Sequence, residues 1–99
     1  MASTIQIEKL AAEIGENIYI DVSGWHLYLA DAHLHTTIAE KIAPTLEDRG
    51  VNETAVTTVL RSIQVPLGGK QVFVSLAHLI PTAVQGDLLK LLEETQDNW

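Results

Sequence analysis

The sequence predicts a mainly α-helical domain of the α+β class, with about four helices and one small β-hairpin. Three observations carry that reading. Aliphatic residues recur at three- and four-residue spacing in four segments, the stripe a helix needs to bury one face. A Gly68-Gly69 pair separates two runs rich in β-branched residues, which is hairpin chemistry. A chain of 99 residues sustains one hydrophobic core but not two, so residues 1–99 are expected to form a single compact domain.

The first helix is expected to begin at Ser3, whose hydroxyl caps the backbone while Gln6 reaches back; Ile7, Leu10, Ala11, Ile14 and Ile18 then form its apolar stripe. Gly15 weakens its last turn. Residues 18–30 admit two readings. Ile18, Ile20 and Val22 alternate, Ser23-Gly24 can turn, and Trp25, Leu27 and Leu29 alternate again, a hairpin pattern. Against it, Leu27, Ala30, Leu34, Ile38 and Ile42 recur at helical spacing, which favours a long helix from about Trp25 to Ala43. Pro44 breaks or kinks that helix and Gly50 ends the following turn. Asn52 is a good N-cap for the next helix, with Glu53 in its first turn and Val56, Val59, Leu60 and Ile63 inward. A two-residue Gly68-Gly69 turn pairs Leu67 with Lys70, Val65 with Val72 and Ile63 with Val74, and puts Pro66 on an outward-facing edge. A last helix follows Pro81, burying Val84, Leu88, Leu91 and Leu92 and ending among the acidic residues Glu93, Glu94 and Asp97.

Hydrophobic residues make up 46% of the chain but only five are aromatic, so the core is expected to be aliphatic. The absence of cysteine excludes disulfides, thiolate metal sites and cysteine nucleophiles. A net charge of −7, with six Lys and Arg scattered along the chain, argues against nucleic acid and against an anionic membrane surface as partners. No apolar run approaches the roughly 20 residues that cross a bilayer, and the first residues lack the pattern of a signal peptide. A soluble, cytoplasmic protein is the expectation. The charge also weakens a winged-helix reading, since the helix before the Gly-Gly hairpin offers only Arg61 and the hairpin only Lys70.

Residues 25–35 hold three of the four histidines, one of the two tryptophans and one of the two tyrosines. Titratable and aromatic side chains in an otherwise aliphatic and acidic chain mark contact residues, and Trp25, His26, Tyr28, His33 and His35 are the candidates for a partner-binding surface. Trp25 and Tyr28 compete for burial in an aromatic-poor core. No catalytic constellation accompanies them. Asp21, Asp31 and Glu40 read as solvated carboxylates, and Gly68-Gly69 lacks the helix N-terminus and Lys-Ser/Thr of a phosphate loop. On a helix, His26 and His33 are separated by about 10 Å along the axis, too far to share one metal. Asp31 and His35 stand four apart, and with His78 they outline a metal- or cofactor-binding alternative based on His33, His35 and His78, but at no recognised ligand spacing. The expectation is therefore no enzyme activity, no metal and no cofactor. Trp99 follows no apolar neighbour and is assigned no role.

Glu16-Asn17-Ile18-Tyr19-Ile20-Asp21-Val22, Trp25-His26-Leu27-Tyr28-Leu29 and Asp31-Ala32-His33-Leu34-His35 resemble a family of small, functionally uncharacterised cyanobacterial proteins. The resemblance extends through Val65-Pro66-Leu67-Gly68-Gly69 and Leu79-Ile80-Pro81 to Leu92-Glu93-Glu94. It implies a cyanobacterial, cytoplasmic protein and brings no established active site. By analogy with other small factors of such organisms, the expected function is a protein-binding module, an assembly factor or chaperone-like adaptor for a photosynthetic or carbon-fixing complex such as Rubisco or the carboxysome. The expected partner is a protein or peptide segment; an open hairpin edge would also accept a strand from a peptide or from a second copy of the chain.

Overall fold

A computed structural model describes residues 3–22, 25–31, 33–67 and 72–99, excluding the side chains of Val22, Trp25, Leu67 and Val72. The element order is α1 (Thr4–Asn17), β1 (Tyr19–Val22), β2 (Trp25–Tyr28), α2 (His35–Glu47), α3 (Glu53–Ser62), β3 (Gln64–Leu67), β4 (Val72–Ser75), α4 (Leu76–Leu79) and α5 (Thr82–Asp97). The class is the expected α+β, mainly helical, but with two antiparallel hairpins instead of one.

Helix α1 starts as its sequence dictates. The Ser3 hydroxyl accepts from the Gln6 backbone at 3.1 Å and the Gln6 side chain accepts from the Ser3 backbone at 2.9 Å, a complete capping box. Leu10, Ala11 and Ile14 are buried. Asn52 caps α3 as predicted, its side chain accepting from Ala55 at 2.8 Å. Helix α5 follows Pro81 and buries Val84, Leu88 and Leu92, with Leu91 half-buried.

The predicted long helix from about Trp25 is not formed. Residues 19–22 and 25–28 pair as a hairpin, with Tyr19 opposite Tyr28, Ile20 opposite Leu27, Asp21 opposite His26 and Val22 opposite Trp25. Burial explains the outcome. Ile18, Ile20 and Leu29 are at most 2% exposed, whereas Leu27, the head of the supposed helical stripe, is 38% exposed. The period-2 pattern with β-branched residues in β1 therefore prevails over the 3.6 period, which operates only from Leu34 onward. The ladder is extended by Leu29 N donating to Ile18 O at 2.9 Å. A tight turn then reverses the chain: His33 N donates to Ala30 O at 3.3 Å and Leu34 N to Leu29 O at 3.0 Å, with His33 in the left-handed region at φ 60°. Helix α2 begins immediately afterwards and buries Ile38, Ala39, Ile42, Ala43 and Leu46.

Of the break and the kink expected at Pro44, the break is not formed: the helix runs through Pro44 to Glu47. The left-handed residue that ends it is Arg49 at φ 56°, not Gly50; Gly50 N donates to Thr45 O at 2.9 Å and Arg49 N to Leu46 O at 3.1 Å, a Schellman closure with glycine one place late.

The second hairpin forms with a register two residues away from the predicted one. Leu67 faces Val72, Val65 faces Val74 and Pro66 faces Phe73, so four residues connect the strands. A shift of two keeps every side chain on its intended face, which is why the inward Val65 and Val74 and the exposed Pro66 come out as expected. The Gly68-Gly69 turn itself lies outside the described residues. Short α4 is tied to α5 by Gln85, whose amide donates to Ala77 O at 2.8 Å and Ile80 O at 2.9 Å.

One aliphatic core joins these elements, running from Leu10, Ile14, Ile18 and Ile20 through Leu29, Ile38 and Leu60 to Leu88 and Leu92. Among the described residues no polar or charged residue is buried in it. The β1–β2 hairpin contacts α1 and α4, and on its other face Asp21, His26 and Tyr28 are exposed while Tyr19 is half-buried.

Candidate functional site

Strand alternation assigns the side chains of β1 and β2. Ile20 turns into the core, so Tyr19 and Asp21 on β1 share the opposite face with their cross-strand partners Tyr28 and His26. The four side chains form a connected cluster. The Tyr19 and His26 rings stack with centroids 4.6 Å apart and planes at 29°, and the Tyr19 and Tyr28 rings meet edge to face at 5.8 Å. His26 Nε2 lies 2.9 Å from Asp21 Oδ1 and donates to it, with the two side chains 64% and 45% exposed. Tyr19 is half-buried against the core and anchors the cluster, whereas Tyr28 is 45% exposed.

Each contact removes freedom from a side chain that would otherwise move on the surface. His26 meets the Asp21 carboxylate at Nε2 and the Tyr19 ring on its face, and Tyr28 meets Tyr19 edge to face. The result is a pre-organised surface of aromatic faces, an imidazole and a carboxylate on an open two-stranded sheet. Such a surface fits contact with another macromolecule, because aromatic residues bury large area at a small cost in rotamer entropy.

The sequence-predicted residues are only partly brought together. His26 and Tyr28 belong to the cluster. The Trp25 side chain lies outside the described structure, its backbone pairing with Val22. His33 is exposed in the left-handed turn, and His35 opens α2, half-buried, with its Nδ1 enclosed and without a hydrogen-bond partner. His78 Nδ1 is 2.9 Å from the Ser75 hydroxyl, a local contact across the start of α4. Among the described residues no three His, Asp or Glu side chains are grouped as a metal site would require. From the sequence Tyr19 is not singled out, and Asp21 reads only as a solvated carboxylate. The signal that finds them is the hairpin register: once Ser23-Gly24 is read as the turn, Tyr19 must face Tyr28 and Asp21 must face His26.

A cleft of about 390 Å³ lies between α1 and α5, lined by Gln6, Lys9, Leu10, Glu13, Leu91 and Trp99 among others. Trp99, given no role from the sequence, packs half-buried against the core there, with its indole Nε1 enclosed and unpaired. No described helix is long and apolar enough to cross a membrane.

A family described as "Protein of unknown function (DUF3181)" matches residues 7–95. A thylakoid-associated protein of Synechocystis sp. is 43% identical over 95 residues, covering 96% of this chain and 94% of that protein. No solved structure matches the chain.

Proposed function

Because the chain belongs to the DUF3181 family, whose description assigns no function, we propose from the chain's own geometry that it is a non-enzymatic protein-binding module. It docks through the outer face of the β1–β2 hairpin. The observation that carries this reading is the contacting set of Tyr19, Asp21, His26 and Tyr28 on one face of the sheet. Ordering these side chains in advance lowers the entropy lost on association, which favours recognition.

The name of the Synechocystis relative associates that protein with the thylakoid. Carried over, it favours a photosynthetic complex over a carbon-fixing one as the assembly in which this module acts. The module approaches from the cytoplasmic side as an adaptor or assembly factor. Attachment through a protein suits a chain of net charge −7, which anionic headgroups repel.

Co-sedimentation with thylakoid membranes tests the proposal. Wild-type protein is expected to pellet saturably with intact membranes, to lose that binding after the membranes are treated with protease, and to bind at least about fivefold more weakly as the Tyr28→Ala/His26→Ala variant. Equal binding to protein-free vesicles of thylakoid lipids, or unchanged binding by the variant, sinks it.

A further inference from the structure

The docking reading leaves the partner's chemistry open, and the charges around the hairpin constrain it. Between Lys9 and Lys41 the chain carries Glu13, Glu16, Asp21, Asp31 and Glu40 and no Lys or Arg at all. The hairpin lies in the middle of that stretch. Exposed Glu16 lies three residues before Tyr19 and exposed Asp31 three residues after Tyr28, so each strand of the tyrosine pair has an acidic residue close by in sequence. Asp21 adds a third carboxylate two residues from Tyr19 on the same face.

Resting on the docking reading, we infer that this face binds an arginine-bearing segment of the partner. A guanidinium stacks on an aromatic face and hydrogen-bonds a carboxylate; the exposed Tyr28 ring supplies the face, and Asp21, whose Oδ1 accepts from His26, offers its second oxygen. Tyrosine faces attract cations through the ring quadrupole. A neutral apolar partner would cover the rings but bring no counter-charge to a stretch that carries five carboxylates and no Lys or Arg, and an acidic partner would be repelled. Arginine is preferred to lysine because its planar group meets both requirements with a single geometry.

The test uses short labelled Gly-Ser peptides bearing Arg, Lys or Gln at the same positions, titrated into the full chain by fluorescence anisotropy. Binding is expected to fall in the order Arg, Lys, Gln. Tyr28→Leu is expected to weaken the Arg peptide about fivefold while Tyr28→Phe retains it, since phenylalanine keeps the π face and leucine only the apolar bulk. Asp21→Asn weakens it as well. The Glu93→Gln/Glu94→Gln variant on α5, which removes more charge from a distant helix, leaves affinity within about twofold if the hairpin is the site. An equal loss in that α5 variant, or a Gln peptide bound as well as the Arg peptide, overturns the inference. If no Arg peptide binds while hairpin variants still lose thylakoid membranes, the cationic partner falls and docking through this face stands. If hairpin variants keep the membranes, docking itself falls.

Discussion

Glycine at position 15 leaves room into which Ala30 fits: a Cβ on Gly15 would lie 2.8 Å from Ala30 Cβ and 3.2 Å from the Ala30 Cα and N. The Ala30 N–H donates to Gly15 O at 3.2 Å, so the exit of the hairpin is bonded to the last turn of α1 at the point of closest approach. From the sequence this glycine reads as a weakness in a helix. In the folded chain it sets where β2 leaves the core. Gly15→Ala gains helix propensity of about 1 kcal/mol but forces backbone apart, and a net loss of about 1–3 kcal/mol in urea unfolding is expected. Adding Ala30→Gly recovers part of that loss, a coupling that a double-mutant cycle measures. Unchanged stability in Gly15→Ala would mean the contact is not tight. The same scale explains which site residues were visible in advance. His26 and Tyr28 stand out by type alone, while Tyr19 and Asp21 acquire meaning only through their cross-strand partners.

Elements closed by local chemistry were legible in the sequence, and elements decided by tertiary burial were not. The capping box at Ser3, the Asn52 cap and the start after Pro81 each concern hydrogen bonds or dihedrals within a few residues. The β1–β2 hairpin depends instead on which of Leu27 and Leu29 the core accepts, and either residue satisfies one of the two competing periods. The register of the second hairpin depends on loop length, which parity cannot reveal, because slips of two preserve the buried face. Helix α2 is bounded by left-handed residues on both sides, His33 before it and Arg49 after it. At Arg49 this position favours glycine, and the side chain offers little in return: exposed contacts of 3.5 Å to Gln96 O and 3.8 Å to Asp97. Arg49→Gly is therefore expected to stabilise the protein by about 0.5–1 kcal/mol, the relief of left-handed strain less the backbone entropy that glycine adds. The check is a higher denaturation midpoint at unchanged m-value.

At the scale of the molecule, every helix of more than one turn and both hairpins meet in one aliphatic core. Cooperative unfolding follows, with circular dichroism and calorimetry giving coincident transitions. Leu29, fully buried at the junction of hairpin and helices, tests this. Leu29→Ala is expected to cost about 2–5 kcal/mol and to lower the whole transition, whereas early melting of the hairpin alone would reveal two cooperative units. The cation-free stretch around the hairpin has a practical consequence for mapping the contact surface. Trypsin finds no cleavage point between Lys9 and Lys41, so residues 10–41 travel through a digest as one peptide that carries all four cluster residues. Amine-reactive cross-linkers have no lysine to capture there, since the lysines are Lys9, Lys41, Lys70 and Lys90. Carboxylate-directed reagents at Glu16, Asp21 and Asp31 are the chemistry that will record what touches it.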